Sequence, residues 1–187
     1  MRVVGGRLKG RVLKAPDSHA IRPTSERLRE SIFDILLHRH PGAVEGARVV
    51  DLFAGAGGLA IEALSRGAGF ALLVDNGSEA RALLRANVEA LGLGGVTRIW
   101  RTDATRLGKS PAGGPFGLAF LDPPYGKGLA DQALASLIAG DWLAPGALVV
   151  VEEAAKATVA APDALERLDA RTYGDTQIAI FAMPGGG

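Results

Sequence analysis

The chain contains 187 residues, of which 48% are hydrophobic, and it carries a formal net charge of +1 and no cysteine. This length is enough for one well-packed core, and the lack of cysteine excludes disulfides, thiolate metal sites and cysteine nucleophiles. No stretch reaches the roughly 18 apolar residues of a membrane span, and the N-terminus lacks a signal-peptide core. We therefore expect a soluble, cytoplasmic protein, and with only three histidines we expect no metal site.

The charge is distributed unevenly along the chain. Residues 1–30 carry a net charge of +5, and the remainder carries −4. A basic segment on a mildly acidic body is expected where one part neutralises nucleic-acid phosphates and the other binds a small ligand, although a solvated surface would show the same charge. The candidate phosphate-binding residues are Arg2, Arg7, Lys9, Arg11, Lys14, Arg22, Arg27 and Arg29.

The basic segment is predicted to form a β-hairpin followed by a helix. Residues 2–4 and 11–13 are short apolar runs, and glycines lie between them. Pro23, Thr24 and Ser25 indicate a helix N-terminus, and apolar residues then recur at helical spacing until Pro41 and Gly42 end the pattern. We treat residues 1–42 as an N-terminal extension.

The rest of the chain, residues 43–184, is predicted to form an α/β domain. Strands are expected at about 48–53, 70–75, 96–101, 116–121 and 146–152, and helices at about 58–66, 78–92 and 128–139. This alternation indicates a doubly wound, mostly parallel sheet. The last two runs, 164–170 and 176–182, have no helix between them and predict an antiparallel C-terminal hairpin.

Carboxylates lie at the carboxyl ends of four of the predicted parallel strands. Ligands of such sheets bind outside the carboxyl ends of the strands, so we expect these side chains to line one crevice. The four residues are Asp51, Asp75, Asp103 and Asp122.

A glycine-rich loop follows the first predicted strand. Gly55, Gly57 and Ala60 have the spacing that lets a backbone approach a nucleotide-like ligand at a helix N-terminus. Asp75 lies 20 positions after Gly55, where such folds place an acid that accepts from ribose hydroxyls. Asp51 takes a position that is usually apolar in NAD-binding strands, and its charge suits a cationic ligand such as a sulfonium or an ammonium group. A packing turn beside a solvated Asp51 is the simpler alternative.

The sequence Asp122-Pro123-Pro124-Tyr125 follows the apolar run 116–121. Proline fixes φ and lacks an N–H, so this corner offers hydrogen-bond acceptors and few donors. Such a corner fits an exocyclic amino group on a planar base, with Tyr125 available for stacking. An ordinary loop with a proline stop would contain the same prolines.

These motifs closely resemble the S-adenosylmethionine-dependent 16S rRNA guanine-N2 methyltransferases of the RsmD type. The resemblance covers nearly the whole chain. Its most specific parts are residues 4–11, which begin Val-Gly-Gly-Arg, and residues 21–33, which begin Ile-Arg-Pro-Thr-Ser. Residues 51–68 and 120–128 contain motifs found in many methyltransferases. The implied fold is a Rossmann-like class I methyltransferase with an N-terminal RNA-contacting extension.

The resemblance also implies roles for individual residues. Asp51, Phe53, Gly55 and Gly57 would hold the methionine part of the cofactor. Asp75, next to Asn76, would bind the ribose, whereas Asp103 and Ala104 would contact the adenine edge. Family members often carry two acids after the second strand, but here Asn76 and Gly77 follow Asp75, so ribose recognition rests on Asp75.

For the reaction, the resemblance implies that Asp122 and the Pro123 carbonyl accept the two N2–H bonds of guanine. Pro124 stiffens the corner, and Tyr125 stacks on a base that has left its helix or loop. The implied partner is 16S rRNA within a 30S subunit or an assembly intermediate, bound by a monomer.

Other functions fit parts of the pattern. A methyltransferase acting on adenine N6 or on a protein glutamine amide would use a similar corner, although the basic segment argues against a protein substrate. A non-catalytic RNA-binding module or assembly factor is disfavoured by the intact Asp122–Tyr125 corner. An NAD-dependent oxidoreductase is disfavoured because the sequence has no Tyr-x-x-x-Lys pair or positioned histidine after the glycine loop.

Overall fold

The computed structural model describes residues 1–19, 21 and 23–186. At the N-terminus, an isolated antiparallel bridge joins Arg2 to Val12. Val3 N–H donates to the Arg11 carbonyl at 2.9 Å, and Leu13 N–H donates to the Met1 carbonyl at 2.8 Å. The predicted hairpin is therefore present only as a short closed loop. Its apolar residues Val3 and Leu13 are buried in the core.

The first helix, α1 (Glu26–Arg39), begins where the sequence predicts. Ser25 is its N-cap, and the Ser25 hydroxyl accepts from Leu28 N–H at 3.1 Å. Ile32 and Leu36 lie on its buried face, and the helix ends just before Pro41, which cannot continue it.

The remaining elements alternate as predicted. They are β1 (Arg48–Leu52), α2 (Gly58–Ser65), β2 (Phe70–Val74), α3 (Ser78–Ala90), a 3₁₀ turn at Gly94–Val96, β3 (Thr97–Trp100), β4 (Phe116–Leu121), α4 (Leu129–Ala139), β5 (Leu143–Ala154), β6 (Glu166–Tyr173) and β7 (Thr176–Ala182). Gly67 and Gly92 follow the ends of α2 and α3 with φ of 109° and 66°. Glycine is favoured at such positions because it has no Cβ to clash in the left-handed conformation.

The strands form one seven-stranded sheet in the order β3-β2-β1-β4-β5-β7-β6. Strands β1 to β5 pair in parallel, and β7 pairs antiparallel with both β5 and β6. The α/β fold with an antiparallel C-terminal hairpin is therefore confirmed. The strand order reverses between β1 and β4, and ligands of such sheets bind at this switch point.

Two apolar layers cover the sheet. Helices α1, α2 and α3 pack on one face, together with Val3, Leu8 and Leu13. These three residues belong to the basic residues 1–30, called here the N-terminal segment. Helix α4 packs on the other face around Trp142. The N-terminal segment thus shares the core of the α/β body. The division at residue 42 stays a prediction.

A buried ion cluster fixes the N-terminal segment to α2. The Glu62 side chain is fully buried and accepts from Val4 N–H at 3.0 Å and Gly5 N–H at 2.8 Å. Arg29 Nη1 lies 2.9 Å from Glu62 Oε2, and Arg29 Nη2 donates to the Arg2 carbonyl at 2.7 Å. The prediction that Arg29 contacts phosphates is therefore wrong, because its guanidinium is enclosed and paired inside the protein.

Candidate active site

A cavity of about 620 Å³ lies at the carboxyl ends of β1, β2 and β4. It brings together the glycine loop, the residues after β2, the Asp122 corner and part of the N-terminal segment. The predicted site residues that line it are Asp51, Phe53, Gly55, Asp75, Asn76, Asp122, Pro123, Pro124 and Tyr125.

The glycine loop turns sharply between β1 and α2. Phe53 has φ of 60°, an unusual conformation for a residue with a side chain, and Gly55 and Gly57 have φ of 59° and 89°. Such strain costs of order 1–3 kcal/mol and is concentrated at binding sites. A Cβ on Gly57 would lie 3.0 Å from Leu84 and 3.1 Å from Ile61. Gly57 itself does not line the cavity. It is the N-cap of α2 and lies where that helix packs against Leu84 of α3.

Asp51 lies on the floor of the cavity and is 1% exposed. Its Oδ2 accepts from Ala60 N–H, in the first turn of α2, at 3.2 Å. Burial raises the pKa of Asp51 to about 8, the nearby Asp75 charge adds to this, and the Ala60 hydrogen bond opposes it. A cationic group placed beside Asp51 would supply the compensation that the carboxylate lacks.

Asp75 connects the two loops at this end of the sheet. Its Oδ2 accepts from Gly55 N–H at 3.0 Å, and its Oδ1 accepts from Gly77 N–H at 2.8 Å. Glu79 is a second acid lining the same end of the cavity, and it accepts from the Ser18 hydroxyl at 2.6 Å. Glu79 was not predicted as a site residue, because it lies inside α3 rather than directly after β2.

Asp103 and Ala104 are not among the described residues that line the cavity. Asp103 is exposed, and its Oδ1 accepts from the N–H and hydroxyl of Thr105 at 2.9 and 2.7 Å. These hydrogen bonds lower the pKa of Asp103. Ala104 is buried in the core. The expectation that four aspartates line one crevice is thus wrong for Asp103, whose loop turns it toward Thr105.

The Asp122 corner faces a cluster of buried polar groups. Thr24 Oγ1 lies 2.7 Å from Asp122 Oδ2 and 3.1 Å from Glu152 Oε2. The Tyr125 hydroxyl donates to Glu152 Oε1 at 2.5 Å and contacts Thr176 Oγ1 at 2.9 Å. Pro123 is buried and Pro124 is exposed. The corner is thus held by side chains from the N-terminal segment, β5 and β7.

The carboxylates of this cluster affect each other strongly. Burial, followed by the charge of Glu152, raises the pKa of Asp122 well above its ordinary value, while the Thr24 hydrogen bond opposes the shift. Burial and the hydrogen bond to Glu152 likewise raise the pKa of the Tyr125 hydroxyl. Asp122 is therefore not an ordinary solvated carboxylate at neutral pH.

Thr24 and Glu152 were not predicted as site residues. A signal existed for each residue. Glu152 lies near the carboxyl end of β5, one residue beyond the pair formed by Leu121 and Val151, so the register sets it level with Asp122. Thr24 belongs to the Arg-Pro-Thr-Ser motif but was assigned only to the start of α1.

The basic residues of the N-terminal segment are mostly at the surface. The exposed ones among the predicted set are Arg2, Arg7, Lys9, Arg11, Lys14 and Arg27. Arg2 lies 3.9 Å from Glu26, and Arg11 Nη2 donates to the Ala90 carbonyl at 3.0 Å. Arg22 lies outside the described residues.

Comparison with known proteins decides the family. The model of the family described as "Conserved hypothetical protein 95" matches residues 1–182. The chain is 37% identical over 152 residues to the "Ribosomal RNA small subunit methyltransferase D" of Escherichia coli K12, covering 81% of this chain and 74% of that protein. The chain belongs to the RsmD-type methyltransferase family.

Two further proteins, named as putative methyltransferases, match the chain over 99% and 100% of its length. YlbH of Bacillus subtilis is 35% identical over 190 residues, covering 99% of this chain and 100% of that protein. The solved structure of yhhF from Escherichia coli has a TM-score of 0.84 and 29% identity, covering 100% of this chain and 99% of that chain. The RsmD-type fold is that of the Rossmann-like class I methyltransferases, as predicted.

Two other kinds of feature are absent from the described residues of this RsmD-type chain. No helix within residues 1–19, 21 and 23–186 has the length and hydropathy needed to cross a membrane. The same residues contain no cluster of three or more histidine or acidic side chains that could hold a metal ion.

Proposed function

We propose that this protein transfers a methyl group from S-adenosylmethionine to the exocyclic N2 of a guanine in 16S rRNA. The observation that carries the proposal is a single cavity in which a buried carboxylate, a glycine loop and the Asp122–Tyr125 corner meet. The name of the Escherichia coli relative, a ribosomal RNA small subunit methyltransferase, supports the substrate class.

The residues at the β1 and β2 end fit the cofactor. Asp51 is a buried acid that forms no ion pair with a cation among the described residues, which suits a ligand with a sulfonium and an ammonium group. Asp75 and Glu79 are acceptors for ribose hydroxyls, and the Gly55 backbone leaves space for close approach. Asp103 and Ala104 lie in the loop after β3 and do not line the cavity. They would contact the adenine edge only if the adenine extended beyond the described cavity. When bound, the cofactor supplies an electrophilic methyl group on sulfur.

The Asp122 corner positions the nucleophile. The lone pair of guanine N2 is delocalised into the ring, which makes N2 a weak nucleophile. The Asp122 carboxyl and the Pro123 carbonyl accept its N–H bonds, favour a pyramidal nitrogen and direct its lone pair toward the methyl group. Tyr125, whose hydroxyl is held by Glu152 and Thr176, presents its ring for stacking. The catalytic contribution is orientation and electrostatic stabilisation rather than covalent chemistry.

The exposed cations of the N-terminal segment bind the RNA backbone in this proposal. Arg7, Lys9 and Arg11 lie on one loop, and Lys14 follows it. Phosphate contacts of this kind supply affinity and little base specificity. The 30S subunit or an assembly intermediate is the proposed substrate particle, and a monomer is the proposed active form.

An in vitro methylation experiment tests the proposal. The purified protein is incubated with methyl-labelled cofactor and either free 16S rRNA, 30S particles or DNA, and the products are digested to nucleosides and identified by mass spectrometry. We expect N2-methylguanosine from the ribosomal substrates and no label with Asp122→Ala. Label in N6-methyladenosine would instead assign the adenine reaction, for which the same corner offers the same acceptors.

A further inference from the structure

The hydrogen-bonded cluster behind Asp122 contains more acceptors than protons when both carboxyl groups are ionised. Thr24 Oγ1 is within hydrogen-bonding distance of Asp122 Oδ2 and Glu152 Oε2. A hydroxyl carries one proton and donates to one acceptor. The second contact is favourable only if one carboxyl is protonated and donates to the Thr24 oxygen. Asp122 is half-buried, Glu152 is buried, and their charges repel each other, so the two carboxyls share a proton for the same reason that any interacting carboxylate pair does.

The contacts of Glu152 indicate which carboxyl keeps the negative charge. Glu152 is 4% exposed, and Tyr125 donates to its Oε1 at 2.5 Å, whereas Thr24 reaches its Oε2. Asp122 Oδ2 contacts one hydroxyl among the described residues, that of Thr24 at 2.7 Å, and its other hydrogen-bonding side chain is the Glu152 carboxyl itself. Glu152 thus has two hydroxyl contacts and Asp122 has one, so the negative charge is better stabilised on Glu152. The proton is on Asp122 Oδ2, directed at the Thr24 oxygen.

We propose that Thr24 and Glu152 are positioning residues that form a proton relay behind Asp122, which removes the proton released by the methylated amine. This proposal rests on the function proposed above. As the N–CH₃ bond forms and the S–CH₃ bond breaks, N2 becomes a cation with two N–H bonds. One of these protons goes to Asp122 Oδ1. The Asp122 Oδ2 proton moves to Thr24 Oγ1, and the Thr24 proton moves to Glu152 Oε2.

The relay conserves protons and charge within the described groups. Asp122 is neutral before and after the step, Thr24 keeps one proton, and Glu152 changes from charged to neutral. The positive charge formed on N2 is thus neutralised by the negative charge that Glu152 holds, without a charged group crossing the cavity. Glu152 releases its proton to solvent after the product leaves. Thr24 also ties the relay to the N-terminal segment, because its backbone carbonyl accepts from Arg29 Nε at 3.4 Å.

The first test needs no substrate. Infrared difference spectra of the protein at neutral pH, wild type against Asp122→Asn, report whether Asp122 is protonated. We expect a protonated-carboxyl band that Asp122→Asn removes. Asp51→Asn identifies the separate band of Asp51. If the wild type has no band that depends on Asp122, the shared proton does not exist and the relay is wrong.

The second test compares single-turnover rates at saturating cofactor. We expect Thr24→Val and Glu152→Gln to slow methyl transfer at least about tenfold with cofactor affinity unchanged. Thr24→Ser keeps the hydroxyl and should stay within about threefold of the wild type. Glu153→Gln is the matched control on β5. Glu153 accepts from Gly126 N–H and Ala154 N–H, and the glutamine side chain keeps an oxygen that can accept the same hydrogen bonds. Equal rates for Thr24→Val and Thr24→Ser would overturn the relay.

A solvent isotope effect separates a relay from a packing role. The relay transfers protons along Asp122, Thr24 and Glu152, so the wild-type single-turnover rate should fall when water is replaced by D₂O. Glu152→Gln should lose this dependence on the solvent isotope. A purely structural loss would lower the rate in both solvents and retain the dependence. If the wild type methylates no guanine but shows the Asp122 band, the proposed function fails and the shared proton stands.

Discussion

Arg29 and Glu62 form a fully buried ion pair, with 2.9 Å between Arg29 Nη1 and Glu62 Oε2, that joins α1 to α2. Glu62 also accepts from Arg66 Nε at 3.0 Å and from two backbone N–H groups of the N-terminal segment. Burial lowers the pKa of Arg29, and Glu62 opposes this shift. One carboxylate thus fixes the position of the segment that supplies Thr24.

Removing either partner should therefore destabilise the protein. We expect Arg29→Ala to lower the free energy of unfolding by about 3–5 kcal/mol, because it leaves Glu62 buried with less compensation. Arg27→Ala, on the exposed face of the same helix, is the control and should change it by less than about 0.5 kcal/mol. Urea unfolding measures both variants. A small effect of Arg29→Ala would show that water reaches the cluster.

Cofactor affinity should depend on pH through Asp51. Burial raises the pKa of its carboxyl to about 8 in the ligand-free cavity, so below this pH the acid is mostly protonated. A cationic ligand favours the ionised form and must displace that proton. Affinity should accordingly increase as pH rises toward 8 and level off above it. Calorimetry in buffers of different ionisation enthalpy should detect proton release at pH 7, and Asp51→Asn should abolish it.

Asp75 should contribute to cofactor affinity directly and through the loops that it connects. Asp75→Ala should weaken S-adenosylmethionine binding by about 1–3 kcal/mol, since it removes charged hydrogen bonds and leaves Gly55 N–H and Gly77 N–H without their acceptor. Glu89→Ala, at the far end of α3, is the control. Calorimetric titration gives the dissociation constants. Unchanged affinity for Asp75→Ala would mean that other groups hold the ribose.

The predictions that succeeded from sequence depend on local patterns. Strand and helix periodicity, with Asp51, Asp75 and Asp122 at strand ends, established the α/β fold and three acids of the cavity. The failures concern contacts between distant parts of the chain. Arg29 was grouped with the surface cations because its partner Glu62 lies 33 residues away. Thr24 and Asp122 are separated by 98 residues, and no periodic signal reports that they meet.

The placement of Asp103 failed for a different reason. The strand end was correct, but the direction of a side chain after a strand is set by the loop that follows. Thr105 supplies two hydrogen bonds that turn the Asp103 carboxylate into its own loop. Sequence spacing gives the edge of the sheet on which a residue lies, and local hydrogen bonding then determines whether it reaches the cavity.

Asp122 should be required for methyl transfer and dispensable for cofactor binding. Asp122→Ala removes the acceptor for the target amine but leaves the glycine loop and Asp51 in place. Single-turnover rates should fall at least about 10²-fold, the usual cost of losing a positioned electrostatic group, with the cofactor dissociation constant nearly unchanged. Normal turnover by this variant would disprove the role of the corner.

The N-terminal cations should act on RNA affinity alone. Replacing Arg7, Lys9 and Arg11 with alanine removes up to three phosphate contacts, so RNA affinity should fall. The slope of log K against log salt should flatten by about 0.7–0.9 per lost contact. Methyl transfer should decline chiefly through KM and recover in part at low salt, because the Asp122 corner is intact. Cofactor affinity should stay the same.

A charge-matched variant makes this experiment specific. Arg98, Lys109 and Arg167 are exposed cations outside the N-terminal extension, and replacing them with alanine removes the same total charge. RNA binding is measured over a salt series for the wild type and both triple variants. We expect the control variant to keep the wild-type slope, since its cations are outside the proposed contact surface. If the loop variant also keeps that slope, Arg7, Lys9 and Arg11 are solvated surface residues that do not contact RNA. The RNA must then bind around the cavity itself.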